Sequence, residues 1–553
     1  MKRVGAVVFV VSILAGRLAG QTVPVLDSGF ARIKADQPGP AAGIAVSYRG
    51  QVVYQNAAGF ADLEHRVPAT LETRFDWASI AKQFTAFAVS LLVEQGRIDS
   101  HDPVRKYLPE LDLGGASITV EELIHHTAGL EDSDGLLALA GGQPGDRVSL
   151  PALANLVLRQ RHLAAAPGER DSYTNSDYVL LAAMVERVTG RNFAAWTDSS
   201  IFRPLGMHQT GFLSFPDQLV PNRALPYRPN RHGPGYAQSV DETTPGPGGL
   251  YGTVGDLLIW AQHLIEPRYQ RAATLRLRTR GRLRSGKELD YAWGLGLGSY
   301  RGLSTISHGG SGPASNALLL TFPAEGLAVV TASAGETDPN IAAMAYRAAD
   351  HVLAGQLQPI DPKPGEPRML MMTEEMLNAR PVESKGIVVE AADIVRYAGT
   401  YRLADSTVLV VRTRADQLEF AWEGRRPFIP LFPLADGRFV MVPLWRAYRF
   451  LADSTGRVTG LSVEKTPRSL RQRGPDRVLG ERLPEIRFDS ASAAQYLGLY
   501  YSDELGSLYQ VALVDGSLEL RHPRHGAMRL LPLVGDSFAV DGDHLASLRF
   551  GRA

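Results

Sequence analysis

Phe75 to Val89 read FDWASIAKQFTAFAV. Within this run, Ser79-Ile80-Ala81-Lys82 sets a hydroxyl three residues ahead of an amine, one helical turn away on the same face. A lysine amine that has lost its proton can take the serine's, which makes the serine a nucleophile. The run has the marks of a helix start. Ser79 opens it, Phe84, Phe87, Ala88, Leu91 and Leu92 follow at helical spacing, and Gly96 stops it after Glu94-Gln95. The serine is then near the positive end of the helix dipole, which favours a developing oxyanion. Spacing alone is weak evidence, because Ser462-Val463-Glu464-Lys465 repeats it in a stretch that reads as a short strand. That copy is expected to be a solvated surface coincidence, so the partners of Ser79 must come from the rest of the chain.

Composition narrows the classes. A chain of 553 residues suits three or four domains, and a hydrophobic fraction of 44% is that of a globular protein. Lysine plus arginine balances aspartate plus glutamate at 58 each, so no field of one sign draws the chain to nucleic acid or anionic membrane. The absence of cysteine excludes disulfides, thiolate metal sites and a cysteine nucleophile. At the N-terminus, Lys2 and Arg3 precede an apolar run from Val4 to Ala15 and then Leu18-Ala19-Gly20, the layout of a secretory signal peptide over 1–20. The run is shorter than the ~20 residues a spanning helix needs. Leu18-Ala19-Gly20-Gln21 looks like a lipoprotein processing box with glutamine in the place of the lipidated cysteine, so lipidation there is excluded. The expected location is periplasmic or secreted, with no membrane span after cleavage; an uncleaved anchor is the alternative.

Downstream, Gly43–Tyr48 and Gln51–Ala58 read as a hairpin joined at Arg49-Gly50. Helices are expected at Tyr178–Val188, ending at Gly190, and at Val254–Leu264, capped by Thr253. Strands return from Thr305, with Asn316–Phe322 and Leu327–Ala332 around a Pro323–Gly326 turn, and Ala342–Leu353 closes the region as a helix. Strands at both ends with helices between predict one sheet built from the two ends of a domain spanning 21–356. A linker over 357–390 follows, marked by Pro359, Pro362, Pro364, Pro367 and the methionines 369, 371, 372 and 376, which suit adaptable packing. From about Ala391 the texture is all-β. An internal repeat shows as Tyr397-Ala398-Gly399-Thr400-Tyr401 against Tyr496-Leu497-Gly498-Leu499-Tyr500. Two small antiparallel β-barrel-like domains are expected, at 391–484 and 485–553. The second lacks a counterpart to Val458–Lys465, so it is expected to be open or to be completed by another segment.

Three stretches offer partners for Ser79. In Tyr173-Thr174-Asn175 the tyrosine is a candidate general base, since a phenolate and a nearby ammonium each favour the other's charged form. Asn175 can both donate to and accept from a substrate amide. The same pattern at Tyr54-Gln55-Asn56 sits within a strand. In His308-Gly309-Gly310-Ser311-Gly312 the glycines allow close approach of a backbone, and the Ser311 N–H is a candidate oxyanion donor beside that of Ser79. No Gly-x-Ser-x-Gly elbow accompanies it, which excludes an α/β-hydrolase. The third stretch, Leu123 to Leu130 (LIHHTAGL), holds a histidine pair, but no second cluster with ligand spacing supports a metal. A structural turn lining the pocket is expected there.

Ser-x-x-Lys, Tyr-x-Asn and His-Gly-Gly in that order resemble the penicillin-recognising serine hydrolases: class C β-lactamases, DD-peptidases, D-aminopeptidases and related esterases. IHHTAGL, PGERDSYTNSDYVLLAAMVERVTGRNF, FRPLGMHQTGF and GGLYGTVGDL look like family signatures, and the resemblance runs from about Val25 to Leu353. It implies an α+β fold, an antiparallel sheet flanked by helices plus a helical lobe. Two barrels after such a domain look like the D-aminopeptidase layout. The resemblance further implies Ser79 as nucleophile, Lys82 as its activator and Tyr173 as proton shuttle. Asn175 would position the substrate amide, the N–H groups of Ser79 and Ser311 would form the oxyanion hole, and no cofactor would be needed. β-Lactamases and DD-peptidases usually carry lysine where this chain has His308. A histidine, with a reference pKa of about 6.5, is mostly neutral at pH 7. This departure favours D-aminopeptidase or esterase action on a small-molecule or peptide substrate over attack on a penicillin. β-Lactamase, DD-carboxypeptidase, carboxylesterase and a non-catalytic cell-wall peptide-binding protein are the alternatives.

Overall fold

The computed structural model describes residues 39–359 other than 144, 230–234, 241–243 and 336–339, then residue 389, and 391–550 other than 405–406, 415–416, 423–428, 442–445, 466–476, 484–487, 533–535 and 542–546. The segment read from the sequence as a signal peptide and the methionine cluster lie outside the described residues. The chain forms two compact units, Met1–Leu136 with Pro144–Pro362, and Leu137–Gln143 with Lys363–Ala553.

The first unit is built on one antiparallel sheet drawn from both of its ends. Strands β1 (Ala42–Tyr48) and β2 (Gln51–Ala58) are a hairpin, turned at Arg49 (φ 51°) and Gly50 (φ 79°). Helices α1 (Ala81–Glu94), α2 (Asn175–Thr189) and α3 (Val254–Ile265) follow. Strands β3 (Gly296–Tyr300), β4 (Leu303–Ser311), β5 (Asn316–Phe322) and β6 (Leu327–Ser333) then lead into helix α4 (Asn340–Val352). The sheet order is β3-β4-β5-β6-β1-β2, so β6 pairs with β1 (Val329 opposite Val46) and joins the two ends of the unit. Every residue of β6 is buried, and α3 and α4 both pack on it.

Local signals set these helices. Thr253 Oγ1 accepts from Asp256 N (3.2 Å) and caps α3, while Thr174 Oγ1 accepts from Ser176 N (3.2 Å) and caps α2. Gly190 at φ 69° ends α2 in the left-handed conformation. Helix α1 is buried on every side from Ala81 to Leu92, and so is a central helix rather than an amphipathic surface one. Phe84 and Phe87 pack at a tilt against Trp260 of α3, with centroids 4.6 and 5.3 Å away. Burial of each such phenylalanine contributes roughly 1.5–3 kcal/mol. The helix that carries the lysine of the first motif is thereby fixed between α2 and α3.

In the second unit, eight strands from Gly399–Leu403 to Arg477–Arg482 close a barrel around Tyr401, Phe420, Tyr448 and Leu461. Six more, from Gly498–Ser502 to Ser547–Arg549, form an open sheet. The sequence repeat has a physical basis. Tyr401 Oη donates to Tyr397 O and Tyr500 Oη donates to Tyr496 O, each at 2.7 Å, across glycines at φ 154° and 151°. Leu137–Gln143 completes the open sheet's core: Leu139 packs on it and accepts at its carbonyl from Tyr509 Oη (2.7 Å). The second Ser-x-x-Lys, expected on the surface, falls in the strand Val458–Lys465 with Ser462 fully buried, its Oγ donating to Glu464 and accepting from Arg477. It corrects the solvated reading. Alternation along the strand puts Leu461 and Val463 in the barrel core and Ser462 on the opposite face, where Glu464 and Arg477 satisfy it.

Candidate active site

The short strand Phe75–Asp76 runs into a single turn, Ala78–Ile80, which opens α1. Ser79 is half-buried between buried neighbours, so its hydroxyl is the accessible group of this turn. Lys82, one turn on, is completely buried. Its Nζ donates to Ser79 Oγ (3.0 Å), Asn175 Oδ1 (2.7 Å) and Pro247 O (3.1 Å). Three acceptors match the three N–H bonds of an ammonium, which is how a buried lysine avoids an unpaired charge. The same Nζ stands 4.8 Å from the centroid of the Tyr173 ring and 5.8 Å from that of Tyr178. The first and second motifs therefore meet at one nitrogen.

Tyr173 is half exposed, and its ring rests on His126 with centroids 4.3 Å apart. His126 brackets the tyrosine: its carbonyl accepts from Ser172 N (2.8 Å), and its Nδ1 lies 3.4 Å from Thr174 N. The histidine turn is thus structural, as expected, and it also carries the ring on which Tyr173 sits. Behind it, His126 Nδ1 is 2.8 Å from Asp177 Oδ2, and neither side chain reaches solvent. Burial drives the His126 imidazole well below its ordinary range, helped by the charge of Lys82, and raises the Asp177 carboxyl well above its own. The two are an overall neutral pair sharing a proton.

Asn175 is held on all sides. Its N–H donates to Asp132 Oδ2 (2.7 Å) and its Nδ2 to Asp134 Oδ2 (2.9 Å), while Oδ1 serves Lys82. Thr174 Oγ1 also donates to Asp132 (2.9 Å). Asp134 is exposed as a residue, but desolvation of its carboxyl where it meets Asn175, with the neighbouring Asp132, raises that carboxyl, and Asn175 and Lys82 pull it back.

The third motif lies on β4, opposite Leu319 to Asn316 of β5. A Cβ on Gly310 would stand 2.3 Å from the carbonyl oxygen of Trp77, so only glycine lets β4 lie against the turn that carries Ser79. A Cβ on Gly309 would meet Ala317 O at an ordinary contact distance of 3.9 Å, and Ser311 ends the strand. His308 Nδ1 is 2.6 Å from Gly309 O, and Nε2 is 3.2 Å from Tyr291 Oη. Burial, with the charge of Lys82 added, pushes the His308 imidazole down to about 4, and the Tyr291 phenol is raised well above its usual range. Both are neutral at pH 7. Nδ1–H then donates to the carbonyl and Nε2 accepts from the phenol, so neither ring nitrogen has a proton to offer a substrate carboxylate.

All eight residues singled out from the sequence fall in this region of the first unit. Ser79, Lys82, Tyr173 and Asn175 meet around Lys82 Nζ, and His308 reaches the same group through Tyr291 and the Tyr173 ring (centroids 6.4 Å apart). Gly309, Gly310 and Ser311 follow on β4. Sequence reasoning missed Asp132, Asp134, Asp177 and Tyr291. Asp177 stands two residues beyond Asn175, and the two aspartates lie just after the histidine turn, so proximity to motifs was the available signal. Tyr291 had none. Among the described residues, no cluster of histidine or acidic residues could hold a metal ion, and no helix is long and apolar enough to cross a membrane.

Comparison with known proteins bears on the family and the fold. The family model described as Beta-lactamase matches residues 26–354. A penicillin-binding protein of Bacillus subtilis (strain 168) is 26% identical over 413 residues, covering 71% of this chain and 86% of the relative. The D-aminopeptidase of Brucella ovis is 29% identical over 294 residues, 52% of this chain and 55% of the relative, so the match spans about half of that protein. Among solved structures, the octameric penicillin-binding protein homologue from Pyrococcus abyssi superposes with a TM-score of 0.53 at 20% identity, over 93% of this chain and 99% of that one, a likeness of fold.

Proposed function

The chain belongs to the beta-lactamase family of serine hydrolases, and from that premise we propose that it is an exported enzyme cleaving small amides or esters through an acyl-enzyme on Ser79. Peptides or amides with an N-terminal D-residue are the favoured substrates. The observation that carries the reading is the position of Lys82 Nζ, bonded to both Ser79 Oγ and Asn175 Oδ1 and lying against Tyr173.

Lys82, bonded to Ser79 Oγ, activates the serine, and Tyr173 is the general base that takes the Ser79 proton. Ser79 Oγ attacks the substrate carbonyl, and the N–H groups of Ser79 and Ser311 hold the resulting oxyanion. Tyr173 passes the proton to the leaving amine or alkoxide. Water then enters, gives its proton to Tyr173 and attacks the acyl carbonyl, and the proton returns to Ser79 Oγ as the acid leaves. Asn175 orients the substrate amide, and His308 with Gly309 and Gly310 forms the wall opposite.

Charge around the site supports the choice of substrate. His308 offers a carboxylate neither a cation nor an N–H. On the other side, the exposed Asp134 beside Asn175 is suited to a substrate ammonium. One of the relatives is a D-aminopeptidase. The domain division at 21–356, 391–484 and 485–553, the signal over 1–20 and a periplasmic or secreted location belong to the same proposal. The test is a panel: D-alanyl anilide, its N-acetyl derivative, a short-chain nitrophenyl ester and a fluorescent penicillin. D-Alanyl anilide is expected to give the highest kcat/KM, and acetylation to lower it at least tenfold. Equal turnover of the acetylated anilide would remove the ammonium argument and leave the esterase reading ahead.

A further inference from the structure

Asp76 stands three residues before Ser79 and is 7% exposed. Its carboxylate faces two segments of chain. Oδ1 accepts from the backbone N–H of Ala78 at 2.9 Å, and Oδ2 accepts from Ser315 Oγ at 3.4 Å. The carbonyl of Ser315 in turn accepts from Gly312 N at 2.9 Å. One buried side chain thus joins the residue before Ser79 to the loop directly after Ser311.

Both segments need a brace. Ala78 holds φ at 43°, a left-handed conformation that a residue with a Cβ adopts only when its surroundings impose it. The 312–315 loop closes tightly, since a Cβ on Gly312 would stand 2.6 Å from Ser315 Oγ. The brace is also costly. Burial pushes the Asp76 carboxyl up to about 6, against the pull of the Ala78 N–H, the Arg223 charge and Ser315. A desolvated carboxylate is a poor source of stability.

We propose that Asp76 is a positioning residue for the oxyanion hole, its two oxygens fixing Ala78 and Ser315 so that the N–H groups of Ser79 and Ser311 converge on one point. The inference rests on the acyl-enzyme reading above. Its substrate contact is indirect, so its effect should fall on the transition state and spare ground-state binding. Hydrogen bonding is the agent, and asparagine should therefore serve: its carbonyl accepts from Ala78 N and its amide faces Ser315 Oγ.

The experiment uses the full chain and a nitrophenyl ester, with acylatable sites counted from the burst of nitrophenol. Asp76→Ala is expected to lower kcat per active site about tenfold or more with KM unchanged, and to weaken phenylboronic acid, which becomes tetrahedral on the serine, by a similar factor. Asp76→Asn is expected to keep both within about twofold, and to melt no lower than the wild type at pH 8 because a desolvated charge has gone. If Asp76→Ala yields no folded protein, Ser315→Ala removes one arm and is expected to lower kcat about threefold with KM held. The proposal fails if per-site kcat is unchanged in the folded alanine variant, or if asparagine loses as much as alanine. Wild-type protein with neither burst nor turnover would instead sink the acyl-enzyme reading, and this inference with it.

Discussion

Lys82 Nζ lies 2.7 Å from Asn175 Oδ1, a hydrogen bond between residues 93 positions apart that draws the first two motifs onto one buried nitrogen. Because the same nitrogen donates to Ser79, the lysine is both a structural tie and the local source of positive charge. Lys82→Ala is therefore expected to cost at least about 100-fold in kcat/KM. A fall of less than threefold in esterase kinetics, with the fold intact by circular dichroism, would remove Lys82 from the proposed chemistry.

The buried His126–Asp177 pair makes a different prediction. Removing one partner of a buried pair leaves the other unsatisfied, which typically costs about 3–5 kcal/mol. Asp177→Leu is expected to lose that much stability in urea unfolding, and Asp177→Asn, which keeps a hydrogen-bonding group against His126 Nδ1, markedly less. Since Tyr173 rests on His126, the leucine variant should also lose activity before it loses its fold.

Acid should destabilise the first unit partly through His263. Its ring packs on Phe87 and Trp260, with Nε2 2.8 Å from Thr274 Oγ1, and burial pushes its pKa down to about 4, Arg268 adding to the effect. In the unfolded chain the imidazole takes up a proton near its ordinary value of about 6.5, so the unfolded state binds more protons in between. Stability is then full above about pH 6.5 and falls as pH drops toward 4, by at most about 3 kcal/mol from this residue. Asp76, raised to about 6, acts in the opposite sense, because the native state takes up its proton first as pH falls. Urea unfolding at pH 7 and pH 4.5 should show a smaller loss in His263→Gln than in the wild type, and an equal loss would contradict the assignment.

His308 sets the expected preference against anionic substrates. His308→Lys restores a fixed positive charge in the third motif, and acylation by a fluorescent penicillin should accelerate by about tenfold or more. An unchanged rate would mean that charge at this position does not select the substrate.

Much of this was legible in the chain because it is local. The Thr253 cap, the Gly190 stop, the Arg49-Gly50 hairpin turn and the Tyr-x-Gly-x-Tyr repeat all place short-range hydrogen bonds or left-handed φ values that particular residue types supply. What stayed hidden is long-range. Asp177 matters because the histidine turn folds over the start of helix α2, and Tyr291 because β4 returns past it to place His308 Nε2 at its hydroxyl. No periodicity encodes such meetings. The buried Ser462 shows the converse: a motif spacing that a strand turns to a purely structural end.

The central claim is that Ser79 carries the acyl group. Intact-protein mass after brief exposure to D-alanyl anilide, the nitrophenyl ester or the penicillin, followed by peptide mapping, tests it directly. One acyl group per chain on the peptide holding Ser79, and none in Ser79→Ala, is the expected result. Turnover that persists in Ser79→Ala, or an adduct on any other residue, would contradict it.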